Sequence, residues 1–489
     1  MASGDRLTGL DSSFLHLEDG PAHMHVASTT VFEGPTPDFD DLCRHIDSRM
    51  HLVPRFRQKL KFVRFGQGRP VWIDDPQFNL HYHLRHTALP EPGSEQQLRT
   101  LAARIFSQRL DRSKPLWEMW LVDGLEGGRF AIVTKSHHCL VDGVSGVDIT
   151  TVLFDAAPDA PTPSAPEPWV AGPEPSDAQM LSRALVERAV TPAEAVRGAR
   201  ALFRRPRKIA RSIVDALESV GALARAGIAA PDSPFNVPIS PYRRFEWVHS
   251  DLAELKSIKN TVGGTVNDVV LAAVAGALGR YLRARGHATA GLELKAMVPI
   301  SVRLSEQHGD LGNKVSAMYA ALPVGIEDPA ERLRAISAGM GDLKESKQAV
   351  GATLLTDLAD FAPPTIIGQA GRLQSRQRFF NMVVTNVPGP QFPLYLMGRE
   401  LQALYPMVPL AKRQAVCFGI MSYNGQVNFG LIGDYEAMAD LDSLAHDLSE
   451  SLADLAGLVS AGSDPSPETL ADPAERRRGS DPTGAAKPA

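Results

Sequence analysis

Hydrophobic and polar positions follow two periods along the chain, and together they predict a mixed α/β protein. Before residue 155, short apolar runs predict strands at 24–32, 60–65 and 130–136. Apolar positions spaced three and four residues apart predict helices in the same region, at 40–49 and 95–107. Residues 1–155 are therefore expected to form one α/β lobe.

A second α/β block follows further along the chain. Its apolar pattern predicts a helix that begins near Asn267 and a last helix at 441–458. Strands are predicted between these helices, at 293–299, 382–386, 415–423 and 427–434. Residues 231–461 are expected to form a second lobe of similar size, which suits a pseudo-duplicated fold.

A change in composition separates the two blocks. Residues 156–178 contain seven prolines and are predicted to be an exposed linker, because proline fits neither a helix interior nor a central strand. Residues 179–230 look helical, with nine basic residues between Arg183 and Arg211. This connector is either a solvated helix or a cationic segment that lies on a membrane surface. Residues 462–489 have almost nothing to bury and are expected to be disordered.

Charge and cysteine content narrow the class of protein. The 51 basic and 56 acidic residues give a formal net charge of −5, which offers no overall attraction for nucleic acid. Three scattered cysteines are too few for a disulfide framework or a four-thiolate zinc site, so a reducing, cytoplasmic compartment is expected. No secretory signal is visible, and no apolar run approaches the roughly 20 residues of a membrane helix. Any contact with a membrane is expected to be peripheral.

The segment KSHHCLVDGVSG, residues 135–146, carries the clearest chemical signal. A predicted strand runs into two adjacent histidines, His137 and His138, followed by Asp142 and Gly143. An imidazole can accept and return a proton at neutral pH, because its ordinary pKa is about 6.5. Adjacent residues of an extended chain face opposite sides, so only one ring is expected to enter a given cleft. General-base catalysis is the leading interpretation.

Other roles for this segment stay open. Histidines at the end of a strand can be purely structural. A metal site from His137, His138 and Asp142 is disfavoured, because adjacent histidines rarely converge on one ion and no further ligand cluster is visible. A serine nucleophile fits poorly, since Ser145 lacks the G-x-S-x-G spacing. No metal and no bound cofactor are therefore predicted.

These residues resemble the HHxxxDG motif of the CoA-dependent acyltransferase superfamily. The surrounding segments include LDSSFLHLE (10–18), MHV (24–26), PLWE (115–118), SPYRRF (240–245), TVNDVVLAAVAGALGRYL (265–282), LGNKVS (311–316), TNVPGP (385–390) and SYNGQVNFGLIGD (422–434). These segments are similar to those of the bacterial wax ester synthase/diacylglycerol acyltransferase (WS/DGAT) family, in the family's order. The likeness spans about residues 7–460, apart from the proline linker.

The resemblance implies both a fold and a set of roles. The implied fold is two chloramphenicol-acetyltransferase-like lobes, each a mixed sheet flanked by helices, with an active-site tunnel at their interface. His138 is implied to be the general base and His137 its packing neighbour. Asp142 and Gly143 are implied to shape the catalytic loop.

Three further segments have both a structural and a substrate-binding interpretation. Their residues are Pro115, Leu116, Trp117, Asn267, Asp268 and Asn386. The Pro-Leu-Trp run resembles a family segment associated with the acyl channel, although such a run is more often core. Asn267 and Asp268 open a helix, where Asn267 either acts as the N-cap or faces the reacting centre. Asn386 either terminates a strand or donates a hydrogen bond to the reaction zone.

The resemblance implies that the enzyme moves a long-chain acyl group from acyl-CoA to diacylglycerol without a covalent acyl-enzyme. Acyl-CoA would be a co-substrate rather than a bound cofactor. The alternative within the fold is a wax ester synthase that uses a fatty alcohol, or a polyketide-lipid acyltransferase. The competing class is a binding protein, a catalytically silent member that carries lipid or docks on droplets. The expected surface partner is the inner face of the membrane or a lipid droplet, and nucleic acid is not expected.

Overall fold

The computed structural model describes most of both predicted lobes. The described residues are 6–18, 20–66, 68–140, 153–161, 168–184, 186, 230–301, 315–345 and 379–462. Their strands, numbered in chain order, are β1 (His25–Phe32), β2 (Gln58–Lys61), β3 (Val71–Asp74), β4 (Leu84–Ala88), β5 (Trp117–Leu125), β6 (Arg129–His137), β7 (Arg243–Asp251), β8 (Glu293–Ser301), β9 (Val315–Pro323), β10 (Met382–Pro388), β11 (Tyr395–Leu396), β12 (Arg399–Met407), β13 (Val416–Tyr423) and β14 (Gln426–Asp434). Their helices are α1 (Gly9–Leu17), α2 (Phe39–Arg49), α3 (Leu80–His83), α4 (Glu95–Ser107), α5 (Leu252–Val262), α6 (Val266–Ala284), α7 (Pro329–Glu345) and α8 (Leu441–Gly462).

Two six-stranded sheets form the centres of the two lobes. The first has the strand order β11-β12-β1-β6-β5-β4, and the second has the order β7-β14-β13-β10-β8-β9. Both sheets are mixed, because β4 runs parallel to β5, and β10 runs parallel to both β13 and β8, while the other pairs are antiparallel. The predicted α/β class with two lobes is confirmed.

The first sheet is completed by chain from the second half of the protein. Strand β12 pairs antiparallel with β1, placing Met407 opposite Ala27, and β11 adds to the far side of β12. The range 231–461, predicted as the second lobe, thus lends two strands to the first sheet. The predicted division of the chain into two lobes therefore does not match the division of the strands between the two sheets.

Helix α6 fills the core of the second lobe. Its sequence is apolar on every side, as expected for a helix covered all round, and nearly every residue from Asp268 to Leu282 is buried. Gly276 lets helix α8 approach closely, since a Cβ there would lie 2.2 Å from Ser451 Oγ. Among the described residues no single helix is long and apolar enough to cross a membrane. Helices α5 and α6 pass that test only as a pair, bent by 95° at the break between them.

A packed junction joins the two lobes. The rings of Trp247 on β7 and Tyr405 on β12 stack with centroids 4.4 Å apart, and Arg99 on α4 forms an ion pair with Glu246 at 2.9 Å. The buried guanidinium of Arg243 reaches across the junction and donates a hydrogen bond to a backbone carbonyl in the loop before β1, that of Pro21, at 2.7 Å. Arg243 of the second sheet therefore contacts the loop that leads into β1.

Most predicted elements are found within a few residues of their expected bounds, but the predicted strand 60–65 is wrong. Strand β2 ends at Lys61, and the chain then turns through Phe65, whose φ of 59° is incompatible with an extended strand. Several elements were not predicted, namely α1, α3, α5, α7, β3, β4, β5, β7, β9, β11 and β12.

The described parts of the proline-rich linker are mostly exposed, with a turn at residues 156–159, and they are tethered to the first lobe. Lys61 Nζ donates to Glu174 Oε1 and to the Pro175 carbonyl, each at 2.7 Å, and the Gly172 amide donates to Asp74 Oδ2. Most of the predicted basic connector and nearly all of the predicted disordered tail lie outside the described residues.

Candidate active site

The paired histidines stand where strand β6 ends, and both of their backbone amides are held by neighbouring segments. The His137 amide donates to the Leu116 carbonyl at 2.9 Å, and the His138 amide donates to the Met24 carbonyl at 2.8 Å. The chain turns at once, because the Leu140 amide donates back to the His137 carbonyl at 2.8 Å. The backbone therefore presents both imidazoles in fixed positions.

His137 is buried and faces a carboxylate. Its Nδ1 accepts a hydrogen bond from the Cys139 amide at 3.1 Å, so the neutral ring carries its proton on Nε2. His137 Nε2 lies 3.3 Å from Glu18 Oε1, just beyond the end of α1. This histidine is oriented by its neighbours on both edges, and its packing role stays a prediction.

His138 is half-buried, and its ring stacks on Phe14 of α1 with centroids 4.0 Å apart. Within the part of the chain that the structure describes, His138 Nδ1 has no hydrogen-bond partner. Burial, together with the neighbouring His137, lowers the pKa of His138 to about 4. At neutral pH the ring is therefore uncharged, which is the state from which a general base acts.

Glu18 contacts His137, and the sequence interpretation missed this residue. Its carboxylate accepts a hydrogen bond from the Met24 amide at 2.9 Å and forms an ion pair with Arg112. Burial alone would raise the pKa of Glu18, but the contacts with His137, Met24 and Arg112 outweigh it and hold the pKa well below its usual range. The available signal was its place in LDSSFLHLE, one helical turn after Phe14.

Two more histidines extend the cluster behind Glu18 and were also missed. His23 and His25 are buried and stack with centroids 4.3 Å apart, and His25 lies opposite His137 in the β1–β6 ladder. Burial lowers the pKa of His23 to about 3 and lowers that of His25 well below its ordinary value. The signal in the sequence was their spacing of two residues at a strand start, which puts both rings on one face.

The Pro-Leu-Trp segment lies inside the first lobe. Pro115, Leu116 and Trp117 are all buried, and Trp117 donates from Nε1 to the Phe56 carbonyl at 2.8 Å while its ring stacks on His83. These contacts fit the core interpretation. The segment is linked to the paired histidines by the Leu116 carbonyl, which accepts a hydrogen bond from the His137 amide. A role for this segment in acyl binding stays a prediction.

The structure brings together the two predicted asparagines. Asn386 of β10 donates from Nδ2 to Asn267 Oδ1 of α6 at 3.4 Å, and both side chains are half-buried. Of the two interpretations of Asn267, the helix cap is wrong, because Thr265 is the N-cap. Thr265 and Asp268 form a reciprocal capping box, which uses the Asp268 carboxylate to hold the Thr265 amide at 2.8 Å.

Three further predictions concern the catalytic loop, metals and thiols. Asp142 and Gly143 lie outside the described residues. No group of three histidine, cysteine, aspartate or glutamate side chains that could hold a metal ion occurs in the described ranges. Cys139 follows the candidate base directly, but it is buried, and burial raises the pKa of its thiol far above the ordinary value.

Comparison with known proteins identifies the arrangement. A family model described as the wax ester synthase/diacylglycerol acyltransferase catalytic domain matches residues 7–270, which is more than half of the chain. The model of the WS/DGAT C-terminal domain matches residues 311–456. The chain belongs to this family. As a WS/DGAT protein it is an enzyme. Its class is that of the acyltransferases of triacylglycerol biosynthesis.

Individual relatives agree with the family match. The chain is 33% identical over 458 residues to a protein of Mycobacterium tuberculosis named probable diacylglycerol O-acyltransferase tgs1, covering 93% of this chain and 96% of the relative. It is similar in structure to the wax ester synthase/diacylglycerol acyltransferase from Marinobacter aquaeolei VT8, with a TM-score of 0.67, 29% identity and coverage of 93% and 100%.

A more distant structural match confirms the fold alone. The starter condensation domain of rhizomide synthetase RzmA, solved in complex with C8-CoA and Leu-SNAC, matches with a TM-score of 0.56 at 12% identity, covering 94% of this chain and 95% of that domain. This WS/DGAT protein thus shares its two-lobed architecture with a condensation domain that differs widely from it in sequence.

Proposed function

We propose that this WS/DGAT protein transfers a long-chain acyl group from acyl-CoA to the hydroxyl of diacylglycerol, giving triacylglycerol. The observation that carries the proposal is the neutral, half-buried imidazole of His138, whose ring stacks on Phe14 and whose backbone amide is held by the Met24 carbonyl. The acceptor follows the names of relatives such as the M. tuberculosis protein, a probable diacylglycerol O-acyltransferase. The CoA thioester donor is supported by the related condensation domain that was solved with C8-CoA.

In the proposed reaction His138 acts as general base and then as general acid. It removes the hydroxyl proton of the acceptor while the oxygen attacks the thioester carbonyl, forming a tetrahedral intermediate. Collapse of that intermediate breaks the carbon–sulfur bond, and protonated His138 returns the proton to the CoA sulfur. A covalent acyl-enzyme is not part of the proposal, since the pKa of the Cys139 thiol, the nearest described sulfur along the chain, is raised by burial.

The oxyanion of the intermediate requires hydrogen-bond donors, and Asn267 is our candidate. Its Oδ1 accepts the hydrogen bond from Asn386, so the amide group of Asn267 is turned to donate from Nδ2 elsewhere. A preorganised amide donor of this kind typically contributes several kcal/mol to lowering the barrier, about 3–4 kcal/mol. Asp142, implied by the motif to hold the catalytic loop, keeps that role as a prediction.

The membrane enters the proposal through the acceptor. Diacylglycerol and fatty alcohols reside in bilayers and lipid droplets, so the protein is proposed to work from the cytoplasm as a peripheral protein on such a surface. The family's own description, wax ester synthase, makes a fatty alcohol the second candidate acceptor.

The test is a thiol-release assay with palmitoyl-CoA, run with diacylglycerol, with a fatty alcohol and with no acceptor. We expect release that depends on an acceptor and is fastest with diacylglycerol. His138→Ala is expected to lower kcat at least about a hundredfold with little change in KM, because general-base assistance is typically worth 10²–10⁴-fold. His86→Ala, a change at an exposed histidine of the first lobe, is the matched control.

Two results would count against the proposal. A folded His138→Ala protein with near-normal turnover would refute the general-base mechanism. Binding of both substrates with no thiol release would favour the lipid-binding alternative instead.

A further inference from the structure

Strand β6, which ends at the paired histidines, carries a buried lysine. Lys135 lies two residues before His137, and its side chain is 0% exposed. Its ammonium group donates to the carbonyls of Ile105 at 2.7 Å and Gln108 at 2.8 Å, and it forms an ion pair with Glu118 Oε1 at 2.6 Å. An ammonium group has three N–H bonds, so these contacts leave none for a substrate.

Glu118 ties this lysine to the neighbouring strand. It stands directly opposite Lys135 in the β5–β6 ladder, and its side chain is buried as well. Two residues earlier on the chain, the Leu116 carbonyl accepts a hydrogen bond from the His137 amide. The end of β6 is therefore fixed to the neighbouring segment twice, by a side-chain ion pair and by a backbone hydrogen bond.

The two carbonyls that contact the ammonium group belong to the end of helix α4. Ile105 is in the last turn and Gln108 is the C-cap, where carbonyls lack partners within the helix and the helix dipole favours a positive charge. The same end of α4 contacts the second lobe, because Ser107 Oγ accepts a hydrogen bond from the Arg243 amide of β7 at 2.9 Å. Helix α4 thus lies between the strand of the candidate base and the second sheet.

Stability alone does not account for this buried ion pair. Taking an ammonium and a carboxylate group out of water costs free energy that their mutual attraction only roughly returns. Burial lowers the pKa of Lys135, and the charge of Glu118 opposes that effect without cancelling it. Apolar residues of similar volume often replace such a pair without loss of stability, so the geometry that the pair imposes is its distinctive contribution.

We infer that Lys135 is a positioning residue that fixes the end of β6, and with it His138, relative to the second lobe. The inference rests on the proposed function, in which His138 is the base and Asn267 of the second lobe stabilises the oxyanion. These two groups must reach one reacting centre from different lobes, so their separation has to be held. The contacts run from Arg243 through Ser107 and α4 to the Lys135 ammonium, three residues and at most about 10 Å of chain before His138.

The first test replaces the ion pair by apolar side chains of similar volume, Lys135→Met with Glu118→Leu, in the full-length protein. We expect kcat for thiol release from palmitoyl-CoA with diacylglycerol to fall at least about tenfold with KM within about twofold, because a displacement of about 1 Å can cost a hundredfold. This ion-pair variant is expected to melt close to the parent temperature, since neither charge is left buried without the other. The matched control, Lys59→Met with Asp75→Asn, removes an ion pair of β2 and should leave kcat unchanged.

A double-mutant cycle tests the path through α4. Ser107→Ala removes the side-chain acceptor of the Arg243 amide, and we expect it to lower kcat about fivefold. If Lys135 acts through α4, adding Ser107→Ala to the ion-pair variant should lower kcat no further than the larger of the two separate effects. Additive losses would overturn this path.

An NMR readout separates the inference from the proposed function. In protein labelled with ¹³C-histidine, the imidazole signal of His138, assigned by its loss in His138→Ala, is expected to shift in the ion-pair variant and to stay in place in the control. An unshifted signal, or parent-like kcat in the folded ion-pair variant, would overturn the positioning role. Absence of thiol release from the parent protein with every acceptor would count against the function, while the imidazole signal would still report on the position of His138.

Discussion

At the scale of single residues, the carboxylate of Glu18 connects the parts that position the candidate base. It holds the Met24 amide, and the Met24 carbonyl in turn holds the His138 amide. On its other side it faces His137 Nε2 at 3.3 Å. Glu18 is therefore expected to be a positioning residue that acts through both neighbours and does not touch the reacting atoms.

Replacing Glu18 by glutamine should separate its charge from its hydrogen bond. The new amide side chain can still accept from the Met24 amide but no longer presents a negative charge to His137. We expect kcat to fall between about tenfold and a hundredfold with KM nearly unchanged, because small displacements of a catalytic group have effects of this size. Steady-state kinetics with palmitoyl-CoA measures the change, with Glu436→Gln at an exposed carboxylate as control. Parent-like kcat in the Glu18→Gln variant would rule out the positioning role.

At the scale of elements, the first turn of helix α6 contains both its capping residues and Asn267, the proposed oxyanion donor. Thr265 and Asp268 satisfy each other's backbone amides, and Asp268 is almost fully buried. Asn267 stands between them but turns its side chain to Asn386 on β10. The capping is complete without Asn267, which leaves that side chain for the proposed role at the reacting centre.

Two substitutions in this turn should therefore have opposite effects, one on stability and the other on turnover. Thr265→Ala is expected to lower the free energy of unfolding by about 1 kcal/mol, the usual cost of losing an N-cap, with turnover nearly unchanged. Asn267→Ala is expected to lower kcat about a hundredfold with a stability change below about 0.5 kcal/mol. Urea unfolding and the thiol-release assay check both. An Asn267→Ala protein that is destabilised yet fully active would return Asn267 to a purely structural role.

The elements that could be predicted from the sequence are those whose pattern is local. Helix α4 was predicted at its observed bounds, because its apolar spacing and its Ser94 cap lie in one short stretch. Strand β12 was missed, since its partner β1 lies about 380 residues away and nothing within residues 399–407 indicates that partner. His138 was found through its motif, whereas Glu18, His23 and His25 become neighbours only when α1 and β1 meet β6.

At the scale of the whole molecule, buried histidines lie at the place where the two lobes meet. His23 stacks on His25 in the first lobe, and Arg243 of the second lobe hydrogen-bonds to the carbonyl of Pro21, two residues before His23. Burial, and then the positive charge of Arg243, keeps the pKa of His23 at about 3. Folding therefore holds this ring neutral at pH values where the unfolded chain would protonate it.

Lowering the pH should therefore decrease the free energy of unfolding already at pH values above those at which carboxylates titrate. In the unfolded chain His23 and His25 protonate near pH 6.5, so below that pH the unfolded state binds more protons than the folded state. The contribution of these neutral rings is fully present above pH 6.5 and decreases by about 1.4 kcal/mol per pH unit for each histidine as the pH falls. Urea titrations from pH 7.5 to 5 measure this slope, and His23→Phe should reduce it by one proton. An unchanged slope in that variant would contradict the assignment.

The pairing of β12 with β1 in the first sheet has a consequence for synthesis of the protein on the ribosome. Strand β1 leaves the exit tunnel early, but the neighbour that covers its open edge is not made until residue 407. At about 5–20 residues per second, that edge waits roughly 20–75 s for its partner, with unpaired amides and carbonyls facing the cytosol. The nascent N-terminal half is thus a natural client for a chaperone, and the native sheet can close only after most of the message has been translated.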